Sequence, residues 1–97
     1  MEMISFEWDE IKNRINQGKH HVSFEEAESV FYDENAVMLP DPDHSEQEER
    51  FILLGFSAYA RLLLVCHCYR KEDSVIRIIS ARKADAMEAR DYNERLR

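Results

Sequence analysis

Along this chain the spacing of apolar positions changes from helical to alternating near residue 35. Ile11 and Ile15 lie four apart, and Phe24, Ala27, Val30 and Phe31 recur at intervals of three, three and one. These spacings place each set on one face of a helix. Ahead of them, Met3 to Trp8 alternates weakly and predicts a short strand. Asp9 is suited to N-cap a first helix, which Gly18 would stop. Ser23, with Glu26 three residues on, has the spacing of a reciprocal capping box and opens a second helix with Glu25 and Glu28 on its outer side.

Beyond that point the β pattern takes over. Ala36-Val37-Met38-Leu39 predicts a brief strand, ended by the irregular loop Pro40-Asp41-Pro42-Asp43. Phe51 to Phe56, Arg61 to Arg70 and Val75 to Arg82 are β-rich runs joined by the short turns Ser57–Ala60 and Lys71–Ser74, the pattern of an antiparallel meander. From Ala84 onward the sequence is helix-forming, with Ala86, Met87 and Arg90 expected to lie against the sheet. The order β, α, α, β, β, β, β, α predicts one α+β domain over residues 1–97. Its antiparallel β-sheet would be packed, mainly on one face, by the N-terminal and C-terminal helices.

Length supports the single domain, because 97 residues would leave two halves too small to bury useful cores. The longest apolar run, Leu62 to Cys66, is strand length and far short of a membrane span. Acidic residues among Met1 to Asp9 stand where a signal peptide would be basic and then apolar, so a cytoplasmic protein is expected. Cys66 and Cys68, one residue apart, fit a reducing compartment better than a disulfide framework.

A net charge of -7 argues against a nucleic-acid partner until its distribution is considered. Residues 1–49 hold three Lys or Arg against fourteen Asp or Glu, whereas residues 50–97 hold ten against six. Between Arg50 and Lys83 there are seven basic residues and only Glu72 and Asp73 in opposition. Gathered on one surface, those groups would attract phosphate despite the acidic total.

Strand alternation pairs Glu48 with Arg50 and His67 with Tyr69, and sets Arg70 beside Cys66 and Cys68 on the other side. Arg77 and Arg82 sit on a strand otherwise rich in Val and Ile, so each must reach solvent, a carboxylate or a ligand anion. Either a structural ion pair or a phosphate contact satisfies that requirement. The four histidines and two cysteines lack the spacing of a zinc site, and no metal or other cofactor is expected. With Gly18 and Gly55 the only glycines, no Gly-rich phosphate loop or nucleophile elbow is present.

Several ordered motifs resemble one family. Trp8-Asp9-Glu10-Ile11-Lys12-Asn13, Lys19-His20-His21-Val22-Ser23-Phe24-Glu25-Glu26-Ala27, Phe31 and Asp33 are similar to the opening of BrnT toxins. Asp41, Asp43, His44, Glu48, Glu49 and Arg50 continue the likeness, as do Arg77 to Ala84, Glu88 and Tyr92. The resemblance covers nearly the whole chain. It implies a RelE-like microbial ribonuclease fold, metal-independent RNA cleavage that inhibits translation, and neutralisation by a BrnA-like antitoxin. That antitoxin carries a ribbon-helix-helix DNA-binding domain, so contact with DNA would be indirect. Carried over residue by residue, the likeness implies catalytic roles for Lys19, Glu48 (or its neighbour Glu49), Arg70 and Arg82. RNA contacts are expected at Trp8, Arg50, His67, Arg77 and Lys83. His21 stands where the family usually has Gly, and bears on how tightly the chain turns beside Lys19. The contrasting expectation is a non-catalytic, degenerate toxin that only sequesters its DNA-binding partner.

Overall fold

The computed structural model describes residues 4–42 and 48–96; Met3, Asp43 and His44, on which parts of the sequence reading fall, lie outside them. The elements are β1 (Ser5–Glu7), α1 (Glu10–His20), α2 (Phe24–Ser29), a 3-10 turn (Val30–Tyr32), β2 (Val37–Pro40), β3 (Phe51–Phe56), β4 (Leu62–Arg70), β5 (Val75–Lys83) and α3 (Ala86–Arg95). Their order is the predicted one. The strands form one five-stranded sheet in the order β1-β5-β4-β3-β2. It is mixed rather than antiparallel: β1 runs parallel to β5, with Ser5 opposite Val75 and Glu7 opposite Arg77. A period of two reveals a strand but not its partner, so this pairing left no mark in the sequence.

Helices α1 and α2 pack on one face, and α3 makes a smaller contact with the other. On the first face Val22, Phe24, Ala27 and Val30 pack over Leu53, Leu63, Val65, Ile78 and Ala81. On the opposite face α3 makes a smaller cluster, Tyr92 against Leu54 and Leu64. Ala86, Met87 and Arg90, expected against the sheet, are exposed, and Tyr92 is the residue of α3 that is buried. Its hydroxyl donates to Asp33 (2.7 Å), which also accepts from the Phe56 amide. Those bonds hold the Asp33 carboxyl below its ordinary value although burial pushes the other way. The β3 backbone lies so close beneath this point that a Cβ on Gly55 would come within 2.9 Å of the Ala36 Cβ, which explains the glycine.

Helix α1 inverts the expected pattern. Ile11 and Ile15 are exposed, whereas Asn13 and Asn16 face the interior. Both amides are satisfied there. The Asn13 oxygen accepts from the Phe24 amide (2.9 Å), which ties α1 to the start of α2. Asn16 donates to the carbonyls of Val22 and Ala81, both at 2.8 Å, and accepts from the Ala81 amide (3.2 Å). Its side chain thus supplies β5, beyond the reach of β1, with peptide-like partners along its free edge.

The first helix passes Gly18 and ends two residues later. His21 takes the left-handed conformation, φ 59° and ψ 33°, and its amide bonds to Gln17. The tight turn is therefore kept without glycine, at the steric cost of a Cβ in that region. His21→Gly is expected to raise stability by about 0.5–1 kcal/mol, once the looser unfolded chain is discounted. Chemical denaturation would check this, and an unchanged midpoint would show that the turn is unstrained. Ser23 caps α2 as predicted, but Glu26 does not complete the box. Its carboxylate is buried, pairs with Arg61 and accepts from the Ser57 hydroxyl (2.7 Å). The Arg61 guanidinium holds it below its ordinary value. The reciprocal box occurs instead at α3, between Asp85 and Glu88.

Candidate nucleic-acid interface

A β-bulge shapes the face opposite α1 and α2. Cys66 pairs with Ser80 and His67 with Ile78, so Ile79 is an extra residue in β5. Alternation alone would put Arg77 and Arg82 on opposite faces, because five positions separate them. The extra residue shifts the parity by one and places both on the face that carries Leu64, Cys66 and Cys68.

Three arginines are linked there in a chain of ion pairs, and a fourth, Arg82, is paired separately. Glu48 accepts from Arg50 Nε (3.1 Å) and from Arg70 (3.0 Å); Glu7 accepts from Arg77 (2.8 Å) and lies 3.9 Å from Arg70. At the α3 end Glu88 grips Arg82 with both oxygens, at 2.8 and 2.9 Å. The Arg82 hydrogen bonds hold the Glu88 carboxyl below its ordinary value, and Glu88 in turn raises Arg82. Arg70 and Arg82 are each nearly half exposed, so these pairs contribute little to folding, about 0–1 kcal/mol apiece. They do orient the guanidinium groups, and a phosphate oxygen could take the place of a carboxylate oxygen at either.

A groove of about 450 Å³ runs across this face. Ile52, Leu64 and Cys66 form its floor, with Arg50, Arg82, Ser80 and His20 around it. A second depression, at the β4–β5 end, is bordered by Glu48, Glu49, Tyr69 and Arg70. Glu48, half-buried between Arg50 and Arg70, joins the two; Glu49 is exposed. Burial and the Asp41 carboxylate push the Cys66 thiol up to about 12, and burial also raises Cys68. Both are thiols at neutral pH rather than nucleophilic thiolates. Among the described residues no group of three or more His, Cys, Asp and Glu could hold a metal ion.

Of the residues singled out in the sequence, Glu48, Arg50, Arg70, Arg77 and Arg82 are brought together. The rest are not. Lys19 is exposed at the end of α1 and does not line the groove; its neighbour His20 does. Trp8 is half-buried on the helix-covered side, edge-on to Phe24, with its indole N–H on Glu10 (3.1 Å). Lys83 pairs with Leu63 and so points to that same side. His67 is fully buried among Phe31, Phe51 and Tyr69, with Nδ1 on the Val65 carbonyl (3.1 Å). Burial lowers its pKa and keeps the ring neutral, so it cannot meet a ligand on the open face. The basic run converges only in part: Arg61 is bound to Glu26, and Lys71 lies in the β4–β5 turn.

A family described as the ribonuclease toxin BrnT of type II toxin-antitoxin systems matches residues 8–88. Among solved structures, that of the ribonuclease toxin BrnT from Brucella abortus is similar, with a TM-score of 0.66 and 21% sequence identity over 86% of this chain and 99% of that one. At that identity the likeness concerns the fold. Among curated proteins none matches the chain in sequence.

Proposed function

Because the chain belongs to the BrnT family of ribonuclease toxins of type II toxin-antitoxin systems, we propose that it cleaves RNA on the open face of its sheet. The observation that carries this reading is that Arg50, Arg70, Arg77 and Arg82 share one face of the sheet, with Glu48 between Arg50 and Arg70. In metal-independent cleavage the ribose 2'-hydroxyl attacks the adjacent phosphorus, and the bond to the 5'-oxygen breaks. The reaction needs a proton acceptor, a proton donor and cations around the doubly charged phosphorane-like transition state. Arg70 and Arg82 supply the charge, Glu48 takes or directs the 2'-hydroxyl proton, and Arg50 and Arg77 hold flanking phosphates. Lys19, outside the groove, adds positive potential at its rim.

Within this proposal the fold is of the RelE-like microbial ribonuclease type and the protein acts in the cytoplasm. Its partner is a BrnA-like ribbon-helix-helix antitoxin, through which alone it meets DNA. No helix of the described residues is long and apolar enough to cross a membrane. The outer side of α2, with Glu25 and Glu28, is acidic and suits a basic partner.

The test is RNA incubated with the purified chain in excess EDTA, with the new ends mapped. Cleavage to 2',3'-cyclic phosphate and 5'-hydroxyl ends is expected, together with growth arrest when the chain is expressed alone. One observation favours a second reading, a non-catalytic toxin-like module that sequesters the antitoxin: every arginine of the face already has a carboxylate. Intact RNA, no growth arrest and retained antitoxin binding would establish that reading instead.

A further inference from the structure

We propose that His20 is a catalytic residue of this face, the group that protonates the leaving 5'-oxygen. The inference rests on the ribonuclease reading and assigns a role that reading leaves open. Asn13, Asn16 and His20 fall at i, i+3 and i+7, one stripe along α1. The pair of hydrogen bonds between Asn16 and the Ala81 backbone holds that stripe against the free edge of β5. One turn further on, His20 is half-buried and lines the groove together with Ser80, Arg50 and Arg82. Lys19 points elsewhere.

Proton transfer decides among the groups that line this groove. When the 2'-oxygen bonds to phosphorus, the P–O5' bond breaks and its electron pair moves to the 5'-oxygen. An alkoxide is a poor leaving group, so a proton must reach it as the bond opens. Arg50 and Arg82 bind phosphate but hold their protons too firmly to release them. The Cys66 thiol is directed at Asp41 (3.3 Å) and binds its proton tightly. Ser80 has no greater acidity than the leaving alcohol itself. An imidazole ring nitrogen can hold a proton and hand it on, and His20 is the imidazole that lines this groove. The imidazolium Nε2 or Nδ1 proton passes to the 5'-oxygen, and solvent restores it after the 5'-hydroxyl strand departs. Charged or titratable groups that face or flank His20 are Arg50, Arg82, Asp41 and Cys66 in the groove, with Lys19 and His21 beside it in sequence.

The experiment compares wild type with His20→Gln and His20→Asn on two oligonucleotides. One is ordinary RNA containing a linkage that the wild type cuts; the other carries a bridging sulfur in place of the 5'-oxygen at that linkage, whose thiolate leaves without a proton. Rates are measured across pH, and folding of each variant by circular dichroism. Both variants are expected to cut ordinary RNA about 10²–10⁴-fold more slowly and to lose the alkaline fall of the pH–rate profile. On the sulfur-linked substrate most of the deficit should vanish. Variants that cut ordinary RNA within about threefold of wild type, or lose equally on both substrates, overturn the role of His20 alone. A folded wild type that cuts no RNA, so that no such linkage exists, overturns the ribonuclease reading itself, and this role with it.

Discussion

RNA cleavage is expected to fall by about 10²–10³-fold on replacement of Arg82 by Ala, with folding preserved. Arg82 projects from the rigid β5, its direction set by the Ile79 bulge, and its fork is held ready by Glu88. Charge accumulates on the non-bridging phosphate oxygens in the transition state, where a planar cation with two parallel donors gains more than it does with the ground-state diester. The loss should therefore appear in single-turnover rate more than in RNA affinity. Arg82→Lys restores the charge but not the fork and should recover only part of the rate. Stability should change by less than about 1 kcal/mol, since the Arg82 side chain is nearly half exposed. A folded Arg82→Ala protein that cleaves within threefold of wild type would remove Arg82 from the catalytic set.

Asn16→Ala is expected to lower stability by about 2–4 kcal/mol, which in a domain of this size lowers Tm by roughly 10–25 °C. Alanine leaves the Val22 carbonyl and both backbone groups of Ala81 without the partners that Asn16 provides. The site is buried, so water cannot simply replace them. Asn16→Asp, nearly identical in shape, should be at least as damaging, because a carboxylate oxygen then confronts two carbonyls. Thermal melts decide the matter, and a change under about 0.5 kcal/mol for Asn16→Ala would show that these bonds are readily replaced.

Asn16 also shows where sequence reading stops. The strands from Phe51 to Lys83 and the start of α2 at Ser23 were legible, because local alternation and capping chemistry determine them. Ile11 and Ile15 point to a helix at α1, yet its buried stripe is polar, and an asparagine that completes a strand edge 65 residues away leaves no apolar signal. Gly18 is the stop that the sequence favours, since a left-handed His21 is the less expected choice. Glu48, Arg50, Arg70 and Arg82 were named from family likeness, and their meeting depends on cross-strand register and on one bulge that no pattern of twos can reveal. Nothing in the apolar pattern marks His20 beside Lys19. The polar spacing Asn13, Asn16, His20 was the signal that would have singled it out.

The pairing of β1 with β5 governs when the protein comes into being. Ser5 finds its neighbour at Val75, and Glu7 finds Arg77, so the first strand to be synthesised has no docking edge until the last has been made. Such distant closure is entropically slow and belongs to the late stages of folding. A nascent chain therefore carries an unpaired β1 and no arginine cluster through most of its synthesis, and the face that would act on RNA is assembled only as the final strand and α3 emerge.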